Sequence, residues 1–276
     1  MKAFVPSHLT GFFAALRQED PMLSGSIGCG LNLALGAATT VEPSDEMQIF
    51  LNGKLSDAPV SRYVLDRLAK SPVAVKTQLD MPLSSGFGAS GAGALGCGLA
   101  LNAHFNLGMM SNQVAAVAHC AEVVNRTGLG DVIAQNTGGL VVRLAPGAPG
   151  IGRIDRIPVP AIIVNYVVRG PISTREILSD EKTMNEINNA GKACLRELLA
   201  RPTLEEFMRL SRHFTFKIGI ASNWALDAIE AVEAAGGMAS MIMLGDSVFA
   251  VGGGEALAEF GKVGSTFVSH RGANLD

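Results

Sequence analysis

Six consecutive residues, Gly86-Phe87-Gly88-Ala89-Ser90-Gly91, match G-x-G-x-x-G, a spelling that several phosphate-binding chemistries share. A dinucleotide fingerprint would follow a buried parallel strand and be trailed by an acid about 20 residues on. Here residues 73–81 alternate, with Val73, Val75, Thr77, Leu79 and Met81 on one side and Lys76, Gln78 and Asp80 on the other. No acid follows the loop until Glu122. A Walker A loop needs Gly-Lys followed by Ser or Thr, and no Gly-Lys pair in the chain is so followed. What remains is a glycine-rich loop that opens a helix. Its free N–H groups and the positive end of the helix dipole suit phosphates, glycine lets the backbone approach the anion, and the Ser90 hydroxyl suits Mg²⁺. The same stretch also reads as a close helix contact made through Gly91, Ala92, Gly93 and Ala94.

Two acids stand downstream, Glu122 and Asp131, with Gly128 and Gly130 between them. Transfer of a phosphoryl group to an alcohol asks for a carboxylate to accept the hydroxyl proton and a cation across the phosphates. Asp131 reads equally as the N-cap of a short helix. Glu122 reads equally as a solvated helix position, although at 100° per residue it lies on the shoulder of the apolar stripe and can face a cleft.

The elements that hold these residues follow from periodicity. The first 60 residues read as strands, 60–69 as a short helix and 73–81 as a strand with one wet face. Residues 92–104 and 112–126 read as helices, the second burying Val114, Val117, Ala118, Ala121 and Val124. A short helix opens at Asp131, and 140–144 is a strand that carries Arg143. Pro146-Gly147-Ala148-Pro149-Gly150 is the best boundary in the chain. Beyond it come a strand at 161–168, helices at 174–200 and 204–212, then helix 222–235, strands 238–244 and 247–251, a helix and a strand. The expectation is an α+β protein of two halves.

Composition narrows the classes. Hydrophobic residues make up 48% of the 276, and charged residues only 17%, which excludes disorder. The 32 glycines follow no three-residue period, which excludes collagen. A net charge of −3 without a basic run speaks against nucleic acid. Cys29, Cys97, Cys120 and Cys194 are too scattered for a zinc site or a disulfide framework, so idle thiols of a reducing compartment are expected. No stretch reaches the roughly 18 to 20 apolar residues of a membrane span, and Pro6, Ser7 and His8 interrupt any leader-like core. A cytoplasmic protein is expected.

The segment from Pro82 through Gly86-Phe87-Gly88-Ala89-Ser90-Gly91-Ala92 resembles the nucleotide motif P-x-x-x-G-[LF]-G-x-S-[AG]-A of the GHMP kinase superfamily. Glu122, then Gly128-Leu129-Gly130-Asp131, then Gly138-Gly139, is similar to a second motif of those enzymes. The resemblance implies ATP held by Ser85, Gly86, Gly88, Ala89, Ser90, Gly91 and Ala92. It also implies Mg²⁺ on Ser90 and Glu122, and Asp131 as catalytic base beside them. The implied fold is a nucleotide-binding α+β domain at 1–153 and a ferredoxin-like α+β domain at 154–276.

Within the superfamily, Val5-Pro6-Ser7-His8-Leu9-Thr10-Gly11-Phe12-Phe13 and Ser24-Gly25-Ser26-Ile27-Gly28-Cys29-Gly30 are similar to segments of the archaeal pantoate kinases, with His8 where most GHMP kinases carry Lys. That likeness implies transfer of the ATP γ-phosphoryl group to the terminal hydroxyl of (R)-pantoate, giving 4-phosphopantoate for coenzyme A synthesis. It points to His8, Ser24 or Ser26 and Thr174 around the acceptor. The acceptor's carboxylate asks for a cation, and Arg143, on the strand just after Gly138-Gly139, is best placed to hold it, although it reads equally as a surface Arg on an alternating strand. Thr174 reads equally as a helix N-cap, and His119 reads as a plain helix-surface histidine. Where the superfamily's third motif runs in glycines, this chain has Gly236-Gly237-Met238-Ala239. A homodimer is the family expectation. The alternatives are a homoserine, shikimate or mevalonate type of kinase, or a non-catalytic nucleotide sensor on the same scaffold.

Overall fold

The computed structural model describes residues 2–171 and 181–275. Its first sheet is built on one long antiparallel hairpin, β1 (Lys2–Leu16) with β2 (Gly25–Pro43). Register irregularities between Pro6 and Ser7 and between Thr10 and Phe12 bracket the short run that carries His8 and Thr10. Such irregularities bend a strand and re-aim its side chains. After β3 (Gln48–Leu51), β4 (Lys54–Leu55) and α1 (Pro59–Leu68), strand β5 (Val73–Leu79) pairs antiparallel with β2 and parallel with β3. Lys76 and Gln78 are exposed while Val73, Val75, Thr77 and Leu79 are buried, as the alternation requires.

Three helices follow, α2 (Ala89–His104), α3 (Ser111–Asn125) and α4 (Asp131–Gln135). Residues Gly91 through Leu101 of α2 are buried on every side of the helix, so α2 is a central element rather than an amphipathic cover. Then β6 (Leu140–Ala145) pairs with β2 opposite Gly28 to Leu31, and β7 (Arg153–Ile157) pairs with β6. The strand at β7 has no counterpart in the sequence reading. As an edge strand bearing Arg153, Asp155 and Arg156, it lacks the apolar alternation that marks a covered one.

The second sheet is wholly antiparallel among the described residues, in the order β11 (Gly264–Phe267), β8 (Ile163–Pro171), β10 (Gly245–Val251) and β9 (Met238–Met241). It takes β8, and after helices α5 (Glu181–Ala200), α6 (Leu204–Ile218) and α7 (Asn223–Ala234) it takes β9, β10 and β11. β12 (Asn274–Leu275) returns to pair with β1. Several expected bounds shift, two of them for plain local reasons. The strand expected to reach residue 244 stops at Met241, because Leu244 adopts a positive φ of 65° and the chain turns there. The helix expected to end at 212 runs on to Ile218, capped by the Thr203 hydroxyl, which accepts from Glu206 N.

Residues 5–9 and 11–15 of β1 are buried without alternation, so helices cover both faces of that strand. α2 packs on β1 and β2, and α5 and α6 pack on β1. Phe12 anchors the α6 side, its ring centroid 6.3 Å from Phe207 and 6.4 Å from Phe214. Phe207 continues to Phe249 of the second sheet at 6.3 Å. One apolar cluster thereby joins both sheets, and a smaller one around Ile229, Val232 and Val248 seats α7. Truncating the fully buried Phe12 opens a cavity at this junction. Phe12→Ala is expected to destabilise the fold by about 3–5 kcal/mol, read as a lowered midpoint in urea denaturation with an unchanged slope.

Candidate active site

The chain leaves β5, turns, and enters α2 through the glycine-rich loop. Ser84, Gly86 and Gly88 have φ values of 56°, 86° and 65°. Gly88 is the residue before α2, and with no side chain there to cap the helix, the N–H groups of Ala89, Ser90 and Gly91 keep no partner among the described residues. The loop is rigidly held: His8 N donates to Phe87 O at 3.1 Å, and Gln135 Nε2 donates to Gly88 O at 2.9 Å. A turn between β9 and β10 closes in from the second sheet, Gly245 lying against the Ser85 backbone and Met243 N donating to Thr10 O at 3.2 Å. These parts enclose a cavity of about 480 Å³, walled by the loop, the start of α1, residues 125–131, Thr10 and Phe13 of β1, and Met243 with Leu244.

Glu122 projects inward from α3 and is 2% exposed. Its Oε1 accepts hydrogen bonds from Ser90 Oγ and Thr127 Oγ1, each at 2.7 Å. Oε2 is buried with no partner. Burial, reinforced by the charge of Asp131, pushes the carboxyl from its ordinary 4.5 up to about 7, against the pull of the two hydroxyl bonds.

Asp131 opens α4, but the N-cap position is Gly130 and the Asp131 carboxylate caps nothing. Oδ1 instead lies 2.7 Å from His8 Nδ1, while Oδ2 has no partner among the described residues and the side chain stays 24% exposed on the cavity wall. Arg143 comes up from β6 behind this pair, fully buried. Its Nη1 is 3.4 Å from His8 Nε2 and its Nη2 donates to Thr10 Oγ1 at 3.5 Å, leaving Nε buried without a partner. A Cβ on Gly130 would collide with Ser26 Oγ and stand 2.8 Å from that Nε, so only glycine lets the chain pass over the guanidinium. Burial lowers the His8 pKa against the pull of Asp131, with Arg143 adding to the lowering. Burial likewise works against the charge of Arg143, and Asp131 favours it.

The fold thus brings Ser90 and Asp131 together at one cavity with Gly86, Gly88 and Ala89, and Glu122 lies buried behind Ser90. Gly91 faces Glu122 from the first turn of α2, and Ala92 is buried behind it. The Ser85 hydroxyl is engaged with Leu83 O at 3.0 Å. The residues expected around an acceptor are set apart from the wall. Ser24 closes the β1–β2 loop on Gln18, Ser26 is buried near Gly130, and His8 and Arg143 lie behind Thr10 and Asp131. Thr174 lies outside the described residues. His119 is no surface residue: it is 1% exposed, its ring paired with Ser24 O at 2.9 Å. Gly236 and Gly237 turn the chain from α7 into β9, Gly237 packed against Gly252 and Val232, and it is Met243-Leu244-Gly245 that reaches the glycine-rich loop. Sequence reasoning passed over that turn, although a Gly-Asp pair between two apolar strands marks it. It also passed over Thr10, Thr127 and Arg126, which line the cavity without a motif of their own.

Residues 58–139 match the GHMP kinases N terminal domain. The chain is 38% identical over 266 residues to the pantoate kinase of Thermococcus kodakarensis, covering 91% of this chain and 87% of that one. It is 34% identical over 266 residues to the pantoate kinase of Methanocaldococcus jannaschii, covering 93% and 94%. A solved structure described as a phosphotransferase related to the CoA biosynthesis pathway superposes with a TM-score of 0.88 at 31% identity, covering 99% of this chain and 97% of that one. A mevalonate kinase structure shares the fold alone, with a TM-score of 0.67 at 14% identity. The two-domain α+β architecture expected from the motifs is the one these structures share, and the chain belongs to the pantoate kinases of the GHMP kinase superfamily.

Proposed function

We propose that this cavity transfers the γ-phosphoryl group of ATP to the terminal hydroxyl of (R)-pantoate, giving 4-phosphopantoate for coenzyme A synthesis. The observation that carries the reading is Asp131 Oδ2, an unpartnered carboxylate oxygen on the wall of the cavity that also holds the glycine-rich loop. Backbone N–H groups at the start of α2 receive the phosphates, and the apolar wall of Leu51, Pro59, Val60 and Leu79 suits the nucleotide's base. Asp131 accepts the hydroxyl proton as the acceptor oxygen attacks in line. Arg143 acts on the acceptor's carboxylate from behind Thr10 rather than by a direct fork. Residues 1–153 supply the cradle and the acids, and 154–276 supply Met243 and Leu244. A sensor would have no use for a free carboxylate held ready beside the phosphate cradle. In this reading the enzyme works in the cytoplasm as a homodimer, and the free thiols of Cys29, Cys97, Cys120 and Cys194 suit a reducing compartment.

Mg²⁺ fits the residues present. Among the described residues no three His, Cys, Asp or Glu side chains gather as a metal cage, but Mg²⁺ in phosphoryl transfer needs only one or two carboxylates besides phosphates and waters. Glu122 offers a buried oxygen without a partner, and Ser90 offers its hydroxyl beside it. Gly128 leaves room there, since a Cβ would fill the space in front of Oε2. When bound, the ion would neutralise charge on the transferring phosphates. Ser90 and Thr127 keep the Glu122 carboxylate oriented toward it.

Asp131→Asn is expected to abolish turnover while ATP binding, followed by calorimetry, survives; an active Asn variant would sink the base assignment. ADP release is expected with pantoate and not with homoserine, shikimate or mevalonate. The raised Glu122 pKa carries a stability consequence. Between pH 4.5 and about 7 the folded chain holds one proton more at Glu122 than the unfolded chain does. That contribution is fully present below pH 4.5 and is lost as pH rises through 7. In metal-free buffer the wild type should therefore lose up to about 3 kcal/mol more stability than Glu122→Gln between pH 5 and pH 8. Paired urea titrations at the two pH values check this.

A further inference from the structure

Three side chains from three elements make one line that runs from the interior to the cavity wall: Arg143 on β6, His8 on β1 and Asp131 at the head of α4. An arginine has N–H donors only and stays charged in proteins. The 3.4 Å contact between Arg143 Nη1 and His8 Nε2 is therefore a bond donated to a lone pair on that ring nitrogen. A neutral imidazole has one lone pair and one N–H. With Nε2 accepting, the proton sits on Nδ1 and points at Asp131 Oδ1, 2.7 Å away. A doubly protonated ring would face its own N–H against that of Arg143, two like charges in contact with His8 0% exposed. The backbone of the same residue holds the glycine-rich loop, His8 N donating to Phe87 O at 3.1 Å.

We propose that His8 is a positioning residue, held by Arg143 as the neutral Nδ1–H tautomer, whose N–H fixes Asp131 Oδ1 so that Oδ2 alone meets the acceptor hydroxyl. The proposal rests on the reading of Asp131 as the base. It takes His8 away from the acceptor, and its absence from the cavity wall agrees. A neutral N–H donor orients the carboxylate through the hydrogen bond itself. Because one residue grips both the carboxylate and the loop, it also fixes the distance between the base and the phosphate cradle.

The tautomer is read directly on the full-length enzyme labelled with ¹⁵N-histidine, the His8 signals being those missing in His8→Asn. Nδ1 is expected to carry the proton at neutral pH, and an Nε2–H tautomer or an imidazolium would overturn the proposal. Arg143→Gln is expected to release the ring into a mixture of tautomers; an unchanged Nδ1–H signal in that variant would overturn the part given to Arg143. In kinetics, His8→Ala should lower kcat roughly 100-fold with the KM for ATP within about twofold. His8→Asn, whose amide N–H takes the place of Nδ1–H, should recover about tenfold of that loss. A His8→Ala variant that keeps kcat and only raises the KM for pantoate would overturn the positioning role in favour of an acceptor contact. Activity in Asp131→Asn would instead remove the base reading and leave the tautomer result standing, so the two failures are distinct.

Discussion

Two carboxylates stand at one wall of the cavity, and the charge of Asp131 raises the free energy of a charge on Glu122. Asp131 stands on the cavity wall and Glu122 is buried behind Ser90 and Thr127 of that wall, near enough that the charge of Asp131 helps to hold Glu122 protonated near neutrality. Both must coexist where a triphosphate is to be received. Much of the surrounding structure answers that electrostatic problem. Hydroxyls from Ser90 and Thr127 stabilise one oxygen of Glu122 and leave the other without a partner. A neutral imidazole and a buried guanidinium stand behind Asp131. Unpaired buried groups are expensive in a low-dielectric interior, so the orphaned Oε2 of Glu122 and Nε of Arg143 mark where stability is yielded to function.

The fold supplies the geometry through β1. Covered on both faces and bent by two register irregularities, this strand holds Phe12 in the aromatic junction, Thr10 on the cavity wall and His8 behind it. Backbone bonds from the same few residues reach the glycine-rich loop and the β9–β10 turn. Packing energy at Phe12 is thereby coupled to the placement of catalytic groups a few residues away. The cavity wall is assembled from five segments distant in the chain, and β1 touches most of them.

Much of this was legible in the chain itself. The wet-faced strand before the loop, the loop as the entry to a helix and the two acids at their spacing all follow from residue types and periodicity. Helix α3 shows where that kind of reading stops. Its apolar pattern set Val117 and Val124 inward, but Val124 is 53% exposed while His119 and Glu122 are buried. The polar residues went inward because tertiary partners were waiting: Ser24 O for His119, and Ser90 and Thr127 for Glu122. A periodicity argument weighs side chains by hydrophobicity and knows nothing of hydrogen-bond partners that arrive from other elements.

The sequence by itself determined the chemistry available, namely a phosphate cradle, two acids and a family likeness, because loops and motifs are local and their spacing is conserved in the chain's own order of residues. Only the tertiary structure decided how those groups are used. Arg143 and His8 read in the chain as acceptor contacts, and β6 and β1 place them behind Thr10 and Asp131, where the guanidinium meets both the imidazole and the Thr10 hydroxyl. Asp131 read equally as a helix cap until Gly130 took that position and left the carboxylate to His8. Met243 and Leu244, more than 100 residues from either acid, joined the site only when the second sheet closed against the first. Burial, partner and tautomer are properties of neighbours in space, and a chain read in order has no term for them.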